Sequence, residues 1–170
     1  MATLSLLKKL IPVAAAVFMA LCGFGCKGLH DDNVPAYPVY IAFPTSADWD
    51  LYGVKAALDT RIFIKAERVP SNYPWTALTE TGCGGVLLAC DILGDPVAYD
   101  LACPVEASPK VRLSVDRTEL VARCAKCGST YDIFQNYGYP LSGPAVKDRL
   151  ALQRYRVQRG SVGSYMTVTR

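Results

Sequence analysis

Two short cysteine-bearing segments, separated by strand-like sequence, constrain the fold of this chain more than any other feature. The first reads Cys-Pro-Val-Glu from Cys103, and the second reads Cys-Ala-Lys-Cys-Gly from Cys124 to Gly128. Between them, residues 111–115 alternate between apolar and polar side chains, which is typical of a half-buried strand. The spacing therefore predicts two cysteine loops at the ends of short strands.

The remaining sequence predicts an all-β fold. Short apolar runs are bounded by Gly and Pro at intervals of about 8–12 residues, and no heptad or internal repeat interrupts them. Residues 94–96, Gly-Asp-Pro, lie between two such runs and predict a hairpin turn. Strands are predicted at 39–43, 61–65, 86–90, 97–101, 111–115, 120–123, 131–134 and 150–157, with an edge strand at 165–168. This pattern favours a small antiparallel β-barrel or sandwich.

The N-terminus is typical of an export signal. Lys8 and Lys9 precede an apolar run over 10–21, which is too short for a membrane span and leads into small residues before Cys26. A Gly-Cys pair at this position resembles the end of a bacterial lipoprotein signal, and the resemblance implies a lipid on Cys26. More than one acyl chain gives stable attachment, so we predict a protein anchored to a bacterial membrane, on its periplasmic or surface side.

This interpretation divides the chain into three parts. We predict a signal peptide over 1–25, a polar tether over 26–35 and one β domain over 36–170. The acidic pair Asp31-Asp32 in the tether resembles surface lipoproteins of the Bacteroidota. The chain has 18 Lys and Arg against 15 Asp and Glu, and removal of the leader with its two lysines leaves 16 against 15. A nearly neutral mature chain without a basic patch excludes nucleic-acid binding.

Three cysteines are candidate metal ligands: Cys103, Cys124 and Cys127. A Cys-x-x-Cys turn lets two thiolates face one metal, and the following Gly128 permits close approach of the backbone. The fourth ligand is open. Glu106 could supply a carboxylate, although we expect it to be a solvated loop residue.

Other donors are less suited to the site. The single histidine of the chain, His30, lies in the tether and is expected to be exposed. Cys83 and Cys90 become candidates only if the fold brings them to the loops, and Cys90 equally suits a buried position as a small apolar residue. Because disulfides persist in exported proteins, a disulfide competes with a metal for each cysteine pair.

The layout resembles the Rieske iron–sulfur domain, in which two loops hold a [2Fe–2S] cluster and a proline-containing loop covers it. The resemblance spans residues 84–158 and includes Gly143-Pro144-Ala145 as the covering loop. It implies that the Ser129 hydroxyl lies beside the cluster sulfides and that Tyr131 is the aromatic residue of the second loop. The positions that match the family include Cys103, Cys124, Gly128, Ser129, Tyr131, Asp132, Gly138 and Pro144, and Leu150, Tyr155 and Val157 match its last strand.

Two departures from the family pattern leave the chemistry open. Rieske clusters have two cysteines on one iron and two histidines on the other, but this chain has Val105 and Cys127 at the histidine positions. One interpretation is a [2Fe–2S] cluster with atypical cysteine-rich ligation that transfers electrons. The second is a structural Zn²⁺ ion. The third is a metal-free domain with a disulfide between two of the three cysteines.

Enzyme classes have weak support in the sequence. It has no Ser/His/Asp set, no glycine loop of the kind that binds phosphate, and no second metal domain of the kind that Rieske oxygenases carry. We therefore expect an electron carrier or a non-catalytic domain and not a complete oxidoreductase. Its expected partners are the membrane, through the lipid, and a redox or surface protein.

Overall fold

Eleven strands, two short α-helices and one turn of 3₁₀ helix (Lys65–Glu67) form the parts of the chain that the computed structural model describes, residues 28–160 and 163–170. The all-β prediction is confirmed. Cys26 and the predicted signal peptide lie outside the described residues. The elements in chain order are β1 (Val39–Phe43), α1 (Ser46–Tyr52), β2 (Thr60–Phe63), β3 (Glu80–Thr81), β4 (Val86–Cys90), β5 (Pro96–Asp100), β6 (Leu113–Asp116), β7 (Val121–Cys124), β8 (Thr130–Asp132), β9 (Tyr139–Ser142), α2 (Pro144–Asp148), β10 (Arg154–Arg159) and β11 (Met166–Thr169).

Seven strands form a nearly closed antiparallel barrel in the order β2-β4-β5-β10-β11-β1-β3. Its two edge strands approach each other at Lys65, whose backbone N–H donates to Thr81 Oγ1 (3.2 Å). The Lys65 ammonium also pairs with the Glu80 carboxylate (2.7 Å). These contacts join the chain just after β2 to β3, so they bridge the gap between the two sheet edges.

A second sheet, in the order β6-β7-β8-β9, is inserted in the chain between β5 and β10. The predicted hairpin at 94–96 is confirmed, because β4 and β5 pair antiparallel from Val86 opposite Asp100 to Cys90 opposite Pro96. The inserted segment leaves the barrel after β5, and its first strand β6 is tied back to that point because the N–H of Leu113 donates to the carbonyl of Leu101 (2.8 Å). Both cysteine loops lie on this insertion.

Strand β4 separates two layers of core and is buried on both faces. Val86, Leu88 and Cys90 pack inside the barrel, whereas Leu87 and Ala89 pack between the two sheets. Burial on both faces explains why β4 is a continuous apolar run and does not alternate.

Strand β11 corrects the predicted edge position of residues 165–168. It pairs with β10 on one side and with β1 on the other, so it is an interior strand. Its partner β1 lies more than a hundred residues earlier in the chain. A pairing over that separation leaves no local signal in the sequence, which is why the edge prediction was wrong.

Residues 30–34, which we call the N-terminal strap, correct part of the predicted tether. The His30 backbone N–H donates to the carbonyl of Arg149, and the N–H of Ala151 donates to the carbonyl of His30, both at 2.8 Å. Val34 is 2% exposed and packs with Cys83. His30 is exposed as predicted, but its backbone is bound to the domain, because backbone pairing does not depend on side-chain polarity. Within the described ranges, no helix has the length and apolarity needed to cross a bilayer.

Asp100, the last residue of β5, is fully buried and joins three parts of the fold. Its carboxylate accepts the N–H groups of Cys83 (2.7 Å), Gly84 (2.9 Å) and Ala102 (2.6 Å). It also accepts the hydroxyl of Tyr155 on β10. Burial and the charge of Asp100 raise the pKa of Tyr155, so its hydroxyl stays protonated and donates.

Replacement of this carboxylate should destabilise the whole domain. We expect Asp100→Ala to lower the free energy of unfolding by about 3 kcal/mol or more, because four buried donors lose their acceptor. Tyr155→Phe removes only one donor and should cost about 1.5–3 kcal/mol. Urea unfolding followed by circular dichroism compares the two variants. An Asp100→Ala protein as stable as Tyr155→Phe would contradict this account.

Candidate metal centre

Backbone hydrogen bonds place the two cysteine loops at adjacent strand ends. Cys103 lies three residues after β5, and its N–H donates to the carbonyl of Val111 (2.9 Å). Cys124 is the last residue of β7, and its N–H donates to the carbonyl of Ser129 (2.9 Å). The turn from Cys124 to Gly128 is closed by the Gly128 N–H, which donates to the Cys124 carbonyl (3.0 Å). This turn requires the positive φ of +75° that Gly128 adopts.

The structure brings the three predicted ligands together. The sulfur atoms of Cys103, Cys124 and Cys127 all lie within 4.8 Å of one another, and the Cys103 and Cys127 sulfurs are 3.6 Å apart. Cys103 and Cys124 are fully buried, Cys127 is half-buried, and all three are free thiols. The three cysteines can together hold a metal ion.

Two buried hydroxyl groups lie next to the sulfurs. The Cys127 thiol donates to Ser129 Oγ (3.2 Å), and the Tyr131 hydroxyl is 3.9 Å from the Cys103 sulfur. Ser129 and Tyr131 are both fully buried. Once Cys127 is a thiolate, the direction of the first bond reverses and the serine hydroxyl donates to sulfur. The structure thus places both predicted neighbours of the site beside it.

The predicted covering loop contacts the site through Ser129. The Ala145 N–H donates to Ser129 Oγ (3.2 Å), and Ala145 is fully buried. Pro144, the first residue of α2, is exposed. Gly143 has a φ of +77°, and a Cβ there would lie 2.8 Å from both Cα and Oγ of Ser129. The close contact is therefore made by Gly143 and Ala145, which flank Pro144.

The thiols differ in their readiness to ionise. Burial raises the pKa of Cys103 to about 12, and hydrogen bonding among the three thiols adds to this effect. Burial also acts to raise the pKa of Cys127, but the hydrogen bonds from Ser129 and from the other two cysteines outweigh it and lower the pKa. Cys127 is thus the easier of these two thiols to deprotonate.

Glu106 lies in the first cysteine loop, but its carboxylate pairs with a lysine of the second loop. Its carboxylate forms an ion pair with the Lys126 ammonium, and its side chain is only 17% exposed. Its N–H donates to the carbonyl of Cys103 (3.2 Å). The expectation of a solvated residue was wrong, because Lys126 lies within reach across the two loops. The ion pair joins the first cysteine loop to the second.

The other predicted donors lie elsewhere in the fold. Cys90 is buried inside the barrel, as expected for a small apolar residue, and Cys83 packs with the strap. His30 belongs to the strap itself. Neither cysteine belongs to the group of three close sulfurs. Asn33 was not predicted, yet its Nδ2 donates to the carbonyl of Pro104 in the first cysteine loop (2.6 Å). An Asn in a polar segment carries no signal for a partner 71 positions away.

Comparisons of this chain with protein-family models, with curated proteins and with solved structures find no match.

A side chain at Gly143 should disturb the site through Ser129. Gly143 has φ +77° and ψ −168°, a backbone region that essentially only glycine occupies. Gly143→Ala therefore combines a backbone strain of about 1–3 kcal/mol with a clash against Ser129 worth about 1–3 kcal/mol more. Gly94→Ala is the matched control, since Gly94 also has a positive φ but open space around its Cα. Denaturant unfolding should show the larger loss for Gly143→Ala, and equal losses would exclude a tight contact.

Proposed function

We propose that this chain is an exported, lipid-anchored metalloprotein in which Cys103, Cys124 and Cys127 bind one tetrahedral metal ion. Zn²⁺ is the ion that this sulfur set suits best. The proposed role is recognition: the ion ties the two cysteine loops together and keeps one position for an outside group, on a domain attached to a bacterial membrane through Cys26. The observation that carries the proposal is the mutual distance of the three sulfurs.

Tetrahedral geometry gives the distance its meaning. A Zn–S bond of about 2.3 Å places two thiolates on one ion about 3.8 Å apart. The Cys103 and Cys127 sulfurs are 3.6 Å apart, and Cys124 lies within 4.8 Å of each. In a [2Fe–2S] cluster each iron takes only two protein ligands, so three thiolates must span both irons. Thiolates on different irons lie farther apart than thiolates on one ion, because the iron–iron distance is added. The three sulfurs therefore fit a single ion better than a cluster.

Three protein ligands leave one tetrahedral position open. Structural zinc sites use four protein ligands, whereas sites with three keep a place for water or an outside group. The Glu106 carboxylate is paired with Lys126 and would have to leave that partner to complete the site. We propose that the fourth ligand is a water molecule or a group from another molecule. It would enter next to Cys127, the one partly exposed cysteine of the three.

A second candidate function is electron transfer by a [2Fe–2S] cluster, as the Rieske resemblance implies. Its support is the pair of buried hydroxyls, because hydrogen bonds to sulfur help to set the potential of such clusters. Thiolate in place of imidazole would move that potential from the Rieske range toward about −400 mV. The partner would then be a redox protein of the cell envelope. For the zinc role, the partner would be a surface protein.

Metal analysis of residues 27–170, purified without oxygen, distinguishes the two candidates. We expect close to one zinc per chain, no acid-labile sulfide and no visible absorbance. Iron and sulfide near two per chain, with bands that bleach on dithionite, would replace the zinc role with electron transfer. Absence of metal together with a disulfide among the three cysteines would exclude both roles.

Substitution tests which thiols hold the ion. Cys127→Ser should lose the metal, because two thiolates and a hydroxyl hold zinc poorly. Cys90→Ser is the matched control, since Cys90 is buried but lies inside the barrel. Metal loss in Cys90→Ser, with metal retained in Cys127→Ser, would contradict the assignment.

The affinity for metal should rise with pH. In the metal-free protein the Cys103 thiol is protonated at neutral pH, since its pKa is raised to about 12, and the ion must displace that proton. Each displaced proton strengthens binding by about tenfold per pH unit. Competition with a chromophoric chelator between pH 6 and pH 8 measures this slope. A pH-independent affinity would show that no thiol proton is displaced.

A further inference from the structure

We infer that the end of the domain that holds the cysteine triad is kept against the surface of the membrane that carries the lipid on Cys26. This inference rests on the lipid anchor of the proposed function. It adds to that function an orientation of the domain relative to the membrane. This orientation determines which molecules can reach the cysteine site.

The covalent distance between anchor and domain is short. Within the part of the chain that the structure describes, His30 is the first residue bound to the domain, through hydrogen bonds to Arg149 and Ala151. Only four Cα-to-Cα steps separate Cys26 from His30, so an extended backbone spans about 14 Å at most. The domain itself has a radius of gyration of about 14 Å and is more than twice that distance across. Its strap end therefore cannot turn away from the bilayer while the strap is bound.

The strap is attached to the metal centre. Asn33 Nδ2 donates to the carbonyl of Pro104, the residue that follows Cys103 (2.6 Å). Val34 packs against Ala102, the residue that precedes Cys103. The first cysteine loop is thus held on the strap by a polar and an apolar contact, so the side of the domain nearest to the lipid is the side that carries the sulfurs.

The second cysteine loop lies at the same end. Ser129, which contacts Cys127, accepts the N–H of Ala145 in α2. Helix α2 ends at Asp148, and the strap binds the residues that follow it, Arg149 to Ala151. One short run of chain therefore connects the sulfur site to the strap.

Exposed side chains on the residue before the strap, on α2 and on β9 suit the interface of a bilayer. Leu29, Leu141 and Val146 are 45%, 48% and 45% exposed, and Tyr139 on β9 is 47% exposed. Apolar and tyrosine side chains are favoured where the headgroups meet the acyl chains. The exposed charges nearly cancel, with Lys126, Lys147 and Arg149 against Asp31, Asp32 and Asp148. Electrostatic attraction to anionic lipids therefore contributes little to membrane contact. The covalent anchor and the apolar side chains keep this end of the domain at the membrane surface.

An open metal position at this end would lie close to the membrane surface. The groups that can reach it are then the headgroups of lipids, molecules dissolved in the bilayer and membrane-bound proteins. A large soluble protein would meet the opposite end of the barrel.

Quenching by lipids tests the orientation in the full-length lipidated protein, reconstituted into phosphatidylcholine vesicles with a spin-labelled headgroup lipid. A fluorescent amino acid replaces either Val146, beside the strap, or Leu93. Leu93 is 80% exposed in the β4–β5 turn, at the opposite end of β5 from Cys103. We expect loss of fluorescence at position 146 and retained fluorescence at position 93. Equal quenching, or stronger quenching at position 93, would overturn the inference.

A spacer variant provides the matched control. A flexible Gly-Ser insert of about twenty residues between Gly28 and Leu29 spans about 25 Å on average and should release the domain. Quenching at position 146 should then fall to the level of position 93, with the metal content unchanged. Unaltered quenching would show that the strap does not set the orientation.

Two further measurements separate this inference from the proposed function. Mass spectrometry of the purified protein reports acyl chains on Cys26, and their absence would overturn both the anchor and the orientation. Metal analysis of the same sample is independent of quenching. A membrane-facing domain without metal would keep the orientation and overturn the metalloprotein.

Discussion

The buried carboxylate of Asp100 is the interaction on which the rest of the structure depends. It accepts three backbone N–H groups and the Tyr155 hydroxyl in a fully buried position. Hydrogen bonds to a charged acceptor are strong, and each of these donors would be left unsatisfied without it. The carboxylate thereby joins the end of β5 to the segment before β4 and to β10. It also accepts the N–H of Ala102, next to Cys103, so it determines where the first cysteine loop leaves the barrel.

The candidate metal centre depends on this geometry because its three cysteines come from two loops. Cys103 belongs to the loop that Asp100 positions, whereas Cys124 and Cys127 belong to the inserted sheet. Three contacts hold the loops in place: the Glu106–Lys126 ion pair joins them, the Ala145 N–H binds Ser129 after the second loop, and the Asn33 amide binds Pro104 in the first. Each contact joins segments far apart in sequence. Such supporting contacts can keep the thiols close together without a disulfide between them. Preorganised thiols of this kind can bind a metal ion with little rearrangement.

Prediction from the sequence succeeded where the signal was local. Strand β1 and strand β4 were predicted at their observed bounds, because apolar runs between turn residues identify short buried strands. Prediction failed where a distant partner decided the outcome. Strand β11 was expected at an edge but pairs on both sides, Glu106 was expected in solvent but meets Lys126, and residues 30–34 were expected in a tether but bind the domain.

The sequence by itself determined the all-β class, the hairpin at 94–96 and the sulfur atoms available as ligands, since each follows from residue types and short spacings. The tertiary structure alone decided which cysteines meet. Cys83, Cys90 and Cys103 all lie near the ends of strands, yet only Cys103 joins Cys124 and Cys127. The physical reason is that side-chain periodicity assigns a residue to a face of a strand. The distance between two faces is set by packing among segments that are remote in the chain.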